Sequence, residues 1–389
     1  MSMPAKFRAA LHDFGGGNAD GALLVKVPAR VNIIGEHADY NDGFVLPMST
    51  ALFTWATASP RDDRKIRVTS HNVGATCLFE LDGIQPGESF SWVEYVKGVA
   101  AELEDLGIVL CGADILIDSD IPLGAGLSSS ASLELAVAKA LLSIAGERVP
   151  EPDLAKLCQR AEQRYAGVQC GIMDQYTLNC AKEGHAILLD CRSLEVAQIP
   201  IPSEMGFIVT DCGVKHRLPD GQFNNRADEC VAAVEILARD GQEIESLRDL
   251  RTDILEGNRT ALGDVLYRRC RHVLTENERV QCAVQALENG ELQDLGALFN
   301  ACHVSLREDF EVSCDELEAL VSAANASTGV FGSRMVGGGF GGCVLSICRS
   351  DDATEVAKEI RANYASVTGK EAWQHIVEPA KPARVISRA

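Results

Sequence analysis

No run of 18 uncharged apolar residues occurs in the 389-residue chain, so no segment is a candidate to cross a membrane as a helix. Positive charge is short. Lys and Arg number 36 against 56 Asp and Glu, a net charge of −20. A protein that grips a nucleic-acid backbone needs a basic face, so that class is excluded. A small anion held in a local pocket is not. Among 14 cysteines no two make a Cys-X-X-Cys pair, which removes zinc ribbons and thioredoxin-like motifs. Cys170, Cys180 and Cys191 stand far apart among apolar neighbours, the pattern of reduced buried thiols in a cytoplasmic protein. Met1 to Ala22 has no apolar run and contains Gly15-Gly16-Gly17, so no signal peptide is expected. Repeats and long low-complexity tracts are also missing. What remains is ordinary globular usage, 46% apolar and 24% charged, with length for about two domains.

Residues 22–34, 51–59 and 64–70 read as strands. The spacing of Trp92, Val96, Val99, Leu103 and Leu106 predicts a helix over 92–106. A strand follows at 113–118, then a helix at 129–145 that Ser128 or Ser129 can cap and Gly146 can end. The next helix carries Pro152 in its first turn. Pro200 and Pro202 interrupt the stretch from Ser193 to Gly206, which sets a soft boundary between expected domains 1–200 and 206–389. The second half opens on a strand from Gly206, is mostly helical over 224–326, and returns to strand at 343–348. Strands and helices mix without a strict βαβ rhythm, which favours α+β.

Three loops carry the chemistry. Pro122-Leu-Gly124-Ala-Gly126-Leu-Ser128-Ser-Ser130 lies between a strand and a helix. Its glycines let the backbone approach an anion, and the helix start supplies free amides for a phosphate. It lacks the Gly-Lys-Ser/Thr ending of a Walker loop. A serine-capped turn would look the same locally. Gly35-Glu36-His37-Ala38-Asp39-Tyr40 follows an apolar strand that carries Arg30. Its polar side chains suit a polyhydroxylated ligand. Gly337 to Gly342 holds five glycines in six residues, a place for chain or ligand to pack on bare backbone.

These stretches, with Cys170-Gly-Ile-Met-Asp174-Gln175 and Gly184 to Ser193, resemble in order the motifs of the GHMP kinases, and within them the galactokinases. The resemblance spans about residues 22–365. It implies a two-domain α+β kinase with mixed sheets and the active site between the domains. The implied reaction moves the ATP γ-phosphoryl group to the C1 hydroxyl of galactose, giving galactose 1-phosphate. ATP would lie over Gly124, Ala125, Gly126, Leu127, Ser128, Ser129 and Ser130. Trp92 would border the adenine and Ser70 would approach the nucleotide. Ser130 and Glu162 would hold Mg²⁺. Asp174 matches the catalytic aspartate and Arg30 its partner. Glu36, His37, Ala38 and Asp39 would meet the sugar, with a backbone contact from Gly171. His216 and the Cys302-His303 pair read as structural.

One position departs from the resemblance. Phe223 stands where galactokinases carry a sugar-contacting tyrosine, and Arg226 stands alone where they carry an Arg-Arg pair. One missing neutral hydrogen bond is worth about 0.5–1.5 kcal/mol. The change resembles the N-acetylgalactosamine kinase branch, while Asp39-Tyr-Asn-Asp-Gly43 and Arg192-Ser193 keep the galactokinase form. N-acetylgalactosamine is the alternative substrate. A non-catalytic sensor of galactose and ATP is the alternative class, and the complete serine loop argues against it. A mevalonate-like acid would meet carboxylates of the wrong sign.

Overall fold

A computed structural model describes Phe7 and residues 23–87, 91–214 and 221–388. The N-terminal glycine run and His216 lie outside the described residues. The first half contains β1 (Leu23–Asn32), β2 (Phe44–Val45), β3 (Pro47–Arg61), β4 (Lys65–Ser70), β5 (Ala75–Glu80), α1 (Trp92–Asp105), β6 (Gly112–Ser119), α2 (Ser129–Ala145), α3 (Glu151–Ala161) and α4 (Met173–Cys180). A hairpin of β7 (His185–Asp190) and β8 (Val196–Pro200) follows. Then come β9 (Met205–Asp211), α5 (Gln222–Arg239), α6 (Thr252–Gly257), α7 (Arg259–Asn289), α8 (Leu292–Glu308), α9 (Asp315–Asn325), β10 (Gly332–Met335), β11 (Cys343–Arg349), α10 (Ala353–Thr368), β12 (Gln374–Ile376) and β13 (Arg384–Arg388).

The described strands form three sheets, ordered β13-β1-β3-β6-β4-β5, β10-β11-β9-β12 and β2-β7-β8. In the first, β4 and β6 run parallel and the other pairs antiparallel. The first sheet is mixed, the other two are antiparallel, and helices and sheets combine as the α+β expectation requires. The soft boundary at 193–206 contains a strand, β8, whose Pro200 pairs with His185. The end of the chain also departs from a simple two-part division. β13 pairs with β1, Leu23 opposite Arg388, so the last strand of 206–389 joins the first sheet. Its register depends on a partner more than 300 residues away, which local periodicity does not encode.

β1 is buried along almost its whole length, because apolar layers cover both of its faces. On one side Val25 and Val27 share a core with Val96, Val99, Leu135 and Leu157 of the helices. Each such side chain contributes about 1.5–3 kcal/mol on full burial. Towards its C-terminal end the company changes. Ala29 and Val31 share a core with Ile208, Phe299 and Leu345 of the second half. The end of β1 is therefore gripped from both halves, and Arg30 sits at that grip.

Candidate active site

Near the join Arg30 of β1 faces Asp174 of α4, both from the first half. The arginine Nε donates to Asp174 Oδ1 at 2.7 Å and its Nη2 to Oδ2 at 2.8 Å. This is a fork-to-fork pair, which fixes direction as well as charge. Its Nη1 donates to the Gly126 carbonyl at 2.5 Å. Asp174 stands in the first turn of α4, where the helix dipole favours a carboxylate. Ser128 adds a third donor, with its hydroxyl 2.6 Å from Oδ2.

That last bond corrects the expected cap. Ser128 does occupy the N-cap of α2, but its side chain makes no cap hydrogen bond. The residue is in the left-handed region at φ 63°, a strained choice for serine. In this conformation the hydroxyl is bonded to Asp174 and not to the helix start. Gly146 ends the helix as expected, left-handed and with its N–H on Leu142.

Glycines bring the two glycine-rich loops together. A Cβ on Gly337 would sit 2.8 Å from the Cα of Gly126, and one on Gly126 would sit 2.9 Å from the Val336 carbonyl. The bare backbone of Gly337 to Gly342 thus meets chain: Gly337 and Gly342 meet the serine loop at Gly126 and Ala125, while Gly339 and Gly341 meet Val312 and Val214. Gly171 has a similar reason. A Cβ there would fall 2.3 Å from the Asp39 carboxyl, so the sugar-side loop can pass close to the start of α4.

A cavity of about 640 Å³ opens between these loops. It is lined by Arg30, Glu36, His37, Asp39, Trp92, Gly124, Gly126, Ser128, Ser129, Ser130, Glu162, Gly171, Asp174 and Phe223. Fourteen separately expected residues therefore share one space. Ala38, Ala125 and Leu127 are buried behind it, although Leu127 accepts the Arg30 amide with its carbonyl. Ser70 is elsewhere. It lines a separate hollow with Thr69, His71 and Thr76. The sequence reading passed over Tyr40, Tyr95 and Cys170 as liners. Tyr95 lies one turn after Trp92 on α1, a signal that helical spacing carries. Tyr40 meets the His37 ring edge-on and its hydroxyl lies 2.7 Å from His37 Nδ1. Phe223, at the start of α5, packs on both rings, with centroids 5.7 Å from His37 and 5.6 Å from Tyr40.

The carboxylates of the cavity differ in setting. Burial, and then the nearby charge of Asp174, push the Asp39 carboxyl up to about 7. Burial and Asp174 likewise raise Glu162 to about 7. Glu162 opens a π-helical turn at the end of α3, a distortion frequent at functional sites. Its Oε2 accepts from Gln175 at 2.6 Å, and the Ser130 hydroxyl faces the same carboxyl. Glu134 lies just behind, fully buried, and its Oε1 finds no partner among the described residues.

Family models match for the GHMP kinases N terminal domain over residues 94–181, for the galactokinase galactose-binding signature over 12–60, and for the GHMP kinases C terminal over 283–366. The chain is 43% identical to the galactokinase of Chloroflexus aurantiacus over 347 residues, 89% of each chain. The chain belongs to the galactokinases of the GHMP kinase family. It is also 37% identical to the galactokinase of Haemophilus influenzae over 369 residues, 94% of this chain and 95% of that one. The crystal structure of Lactococcus lactis galactokinase complexed with galactose superposes with a TM-score of 0.91 at 32% identity, over 98% of this chain and all of that one. The mevalonate kinase of Methanococcus jannaschii, at 18% identity and a TM-score of 0.67, shares the fold.

A GHMP kinase acts with ATP, and the donor set here suits a magnesium nucleotide. Mg²⁺ is commonly held by one or two carboxylates together with substrate phosphates. Glu162 and Ser130 provide one carboxylate and one hydroxyl beside the serine loop. Glu162, Glu134 and Asp174 repel one another there, so the charge left uncompensated has the sign a divalent cation relieves.

Proposed function

We propose that the protein transfers the γ-phosphoryl group of ATP to the C1 hydroxyl of α-galactose, releasing ADP and galactose 1-phosphate. The observation that carries this reading is the Arg30–Asp174–Ser128 cluster, held where the sugar-side loop and the serine loop meet in one cavity.

Phosphoryl transfer passes through a loose transition state, so positioning and charge stabilisation do most of the catalysis. Asp174 has two oxygens with about two acceptor sites each. Ser128 and Arg30 Nη2 fill those on Oδ2, and Arg30 Nε fills one on Oδ1. The site left on Oδ1 accepts the C1 hydroxyl and later its proton. The sugar oxygen bonds to phosphorus as the bond to the β-phosphate oxygen breaks. Arg30, fixed by the Gly126 carbonyl, faces the charge that builds on the transferred group. Magnesium, when bound by Glu162 and Ser130, neutralises phosphate charge. Glu36, His37 and Asp39 orient the sugar, with Phe223 as an apolar wall. Trp92 borders the base. The 14 free thiols among the described residues support a reducing, cytoplasmic setting.

The test is ADP release from Mg-ATP with galactose, N-acetylgalactosamine, glucose or no sugar, beside an Asp174→Ala control. Galactose-dependent release that disappears in the variant is expected. A preference for N-acetylgalactosamine would move the substrate to the alternative branch. ATP binding without release on any sugar would overturn the catalytic reading.

A further inference from the structure

Glu36 lies in the sugar-side loop, yet most of its carboxylate is occupied by the protein. Oε2 accepts from Asn32 Nδ2 at 2.6 Å and from Arg334 Nη2 at 2.9 Å. Oε1 accepts the Gly337 amide at 3.0 Å. Three of about four acceptor sites are filled. A single one, on Oε1, remains for a ligand.

Arg334 is the partner that no motif reading singled out. It stands on β10, far from Glu36 in sequence, and is fully buried. Its other donors are also directed. Nε donates to the Ile33 carbonyl at 2.8 Å, Nη1 to Met335 at 2.7 Å and Nη2 to Asn32 at 2.5 Å. A buried guanidinium with this many fixed acceptors has one orientation, so the carboxylate it holds has one too.

We propose that Arg334 is a positioning residue for sugar recognition, orienting Glu36 so that one Oε1 site accepts one sugar hydroxyl. This rests on the reading of Glu36 as a sugar-binding residue. Through Gly337 the same carboxylate is tied to the glycine loop that packs on Gly126, so sugar selection and the phosphate loop share one frame.

Charge supports the geometry. Burial raises the Glu36 carboxyl, and Arg334 is the largest opposing influence. The other groups around it cannot replace Arg334. Glu276 of α7 repels it; burial pushes the Glu276 carboxyl up, but the Arg279 charge leads the opposing influences that bring it down to about 2, so it is ionised. His272 of α7, on the Glu36 carbonyl at 3.1 Å, is pushed by burial down to about 4 and is neutral. Cys302 of α8, hydrogen-bonded to Glu276, is raised by burial and stays a thiol.

The experiment uses the full chain and a series of galactoses each lacking one hydroxyl. The wild type should lose roughly 10-fold or more in kcat/KM with one member of the series, the one whose hydroxyl Glu36 accepts. In Arg334→Lys, which keeps charge but not the fork, that penalty should shrink to roughly 2-fold, with KM for ATP nearly unchanged. The acid limb of kcat/KM for galactose should move to higher pH, because a less supported Glu36 protonates sooner. If Arg334→Lys does not fold, Asn32→Ala removes the other donor on Oε2 and should shift the same penalty in the same direction. An unchanged penalty pattern and acid limb, with only a lower Tm, would make Arg334 a structural bolt and overturn the proposal. Failure of the underlying reading looks different: Glu36→Gln would then match the wild type on every sugar.

Discussion

The end of the cavity where we propose the phosphates lie is made from one short stretch, residues 124–130, while the end we propose for the sugar is gathered from four places in the chain. At the phosphate end the donors are neighbours, set by the strand–turn–helix of β6 and α2. At the sugar end Glu36 and Asp39 come from the loop after β1, Gly171 from the approach to α4, Phe223 from α5 and the supporting Arg334 from β10. The first region tolerates little change in backbone. The second depends on side chains whose charge state is set by partners elsewhere. Between the two regions stand Arg30 and Asp174, paired with each other and bonded to Gly126 and Ser128 of the serine loop.

The largest test removes that middle. Asp174→Asn should lower kcat by roughly 10²–10⁴-fold while both ligands still bind, as loss of a positioned base does. A kcat within 10-fold of the wild type would break the division of roles. Next in size is Gly337→Ala. The added Cβ, at φ 80°, would meet Gly126 at 2.8 Å. We expect KM for ATP to rise roughly 10-fold through the displaced serine loop, and KM for galactose to rise less. Equal rises would erase the contrast between the two ends.

Asp39 gives a pH test. Its folded-state pKa is raised from 3.8 to about 7. The folded protein therefore holds a proton that the unfolded chain has lost. The associated stability is full below about pH 4 and is lost as pH rises through 7. The Tm of the ligand-free protein should fall between pH 5 and 8 by a few degrees, and Asp39→Asn should flatten that slope. Glu276 acts oppositely but in another window, since its contribution is lost as pH falls towards 2. A Tm that is level across pH 5–8 in the wild type would remove Asp39 as a buried, raised carboxyl. The smallest effect belongs to Phe223→Tyr. One regained hydroxyl is worth about 0.5–1.5 kcal/mol, so KM for galactose should fall by roughly 2–10-fold. No change would show that the ring alone, packed on His37 and Tyr40, suffices.

Much of the site was legible because its signals are local. Ser129–Ala145 forms where apolar spacing and Gly146 indicate, and the three motif loops converge as their resemblance implies. Ser70 is not among that cavity's liners. It ends a strand near the first half's helices in sequence, but β4 leads it to a separate hollow. Ser128 was recognised as a capping residue and instead donates to Asp174. Nothing in a run of three serines says which hydroxyl turns inward, because that depends on a left-handed backbone angle held by the packed loops.

Residue order by itself determined the glycine- and serine-rich loop, the α+β mixture and the family, since glycines, serines and apolar periods act over a few bonds. Tertiary structure alone decided that β13 closes the first sheet, that Ser70 stands apart and that Arg334 grips Glu36. The physical reason is burial. It removes water from groups that are remote in sequence, and charges without water must find each other.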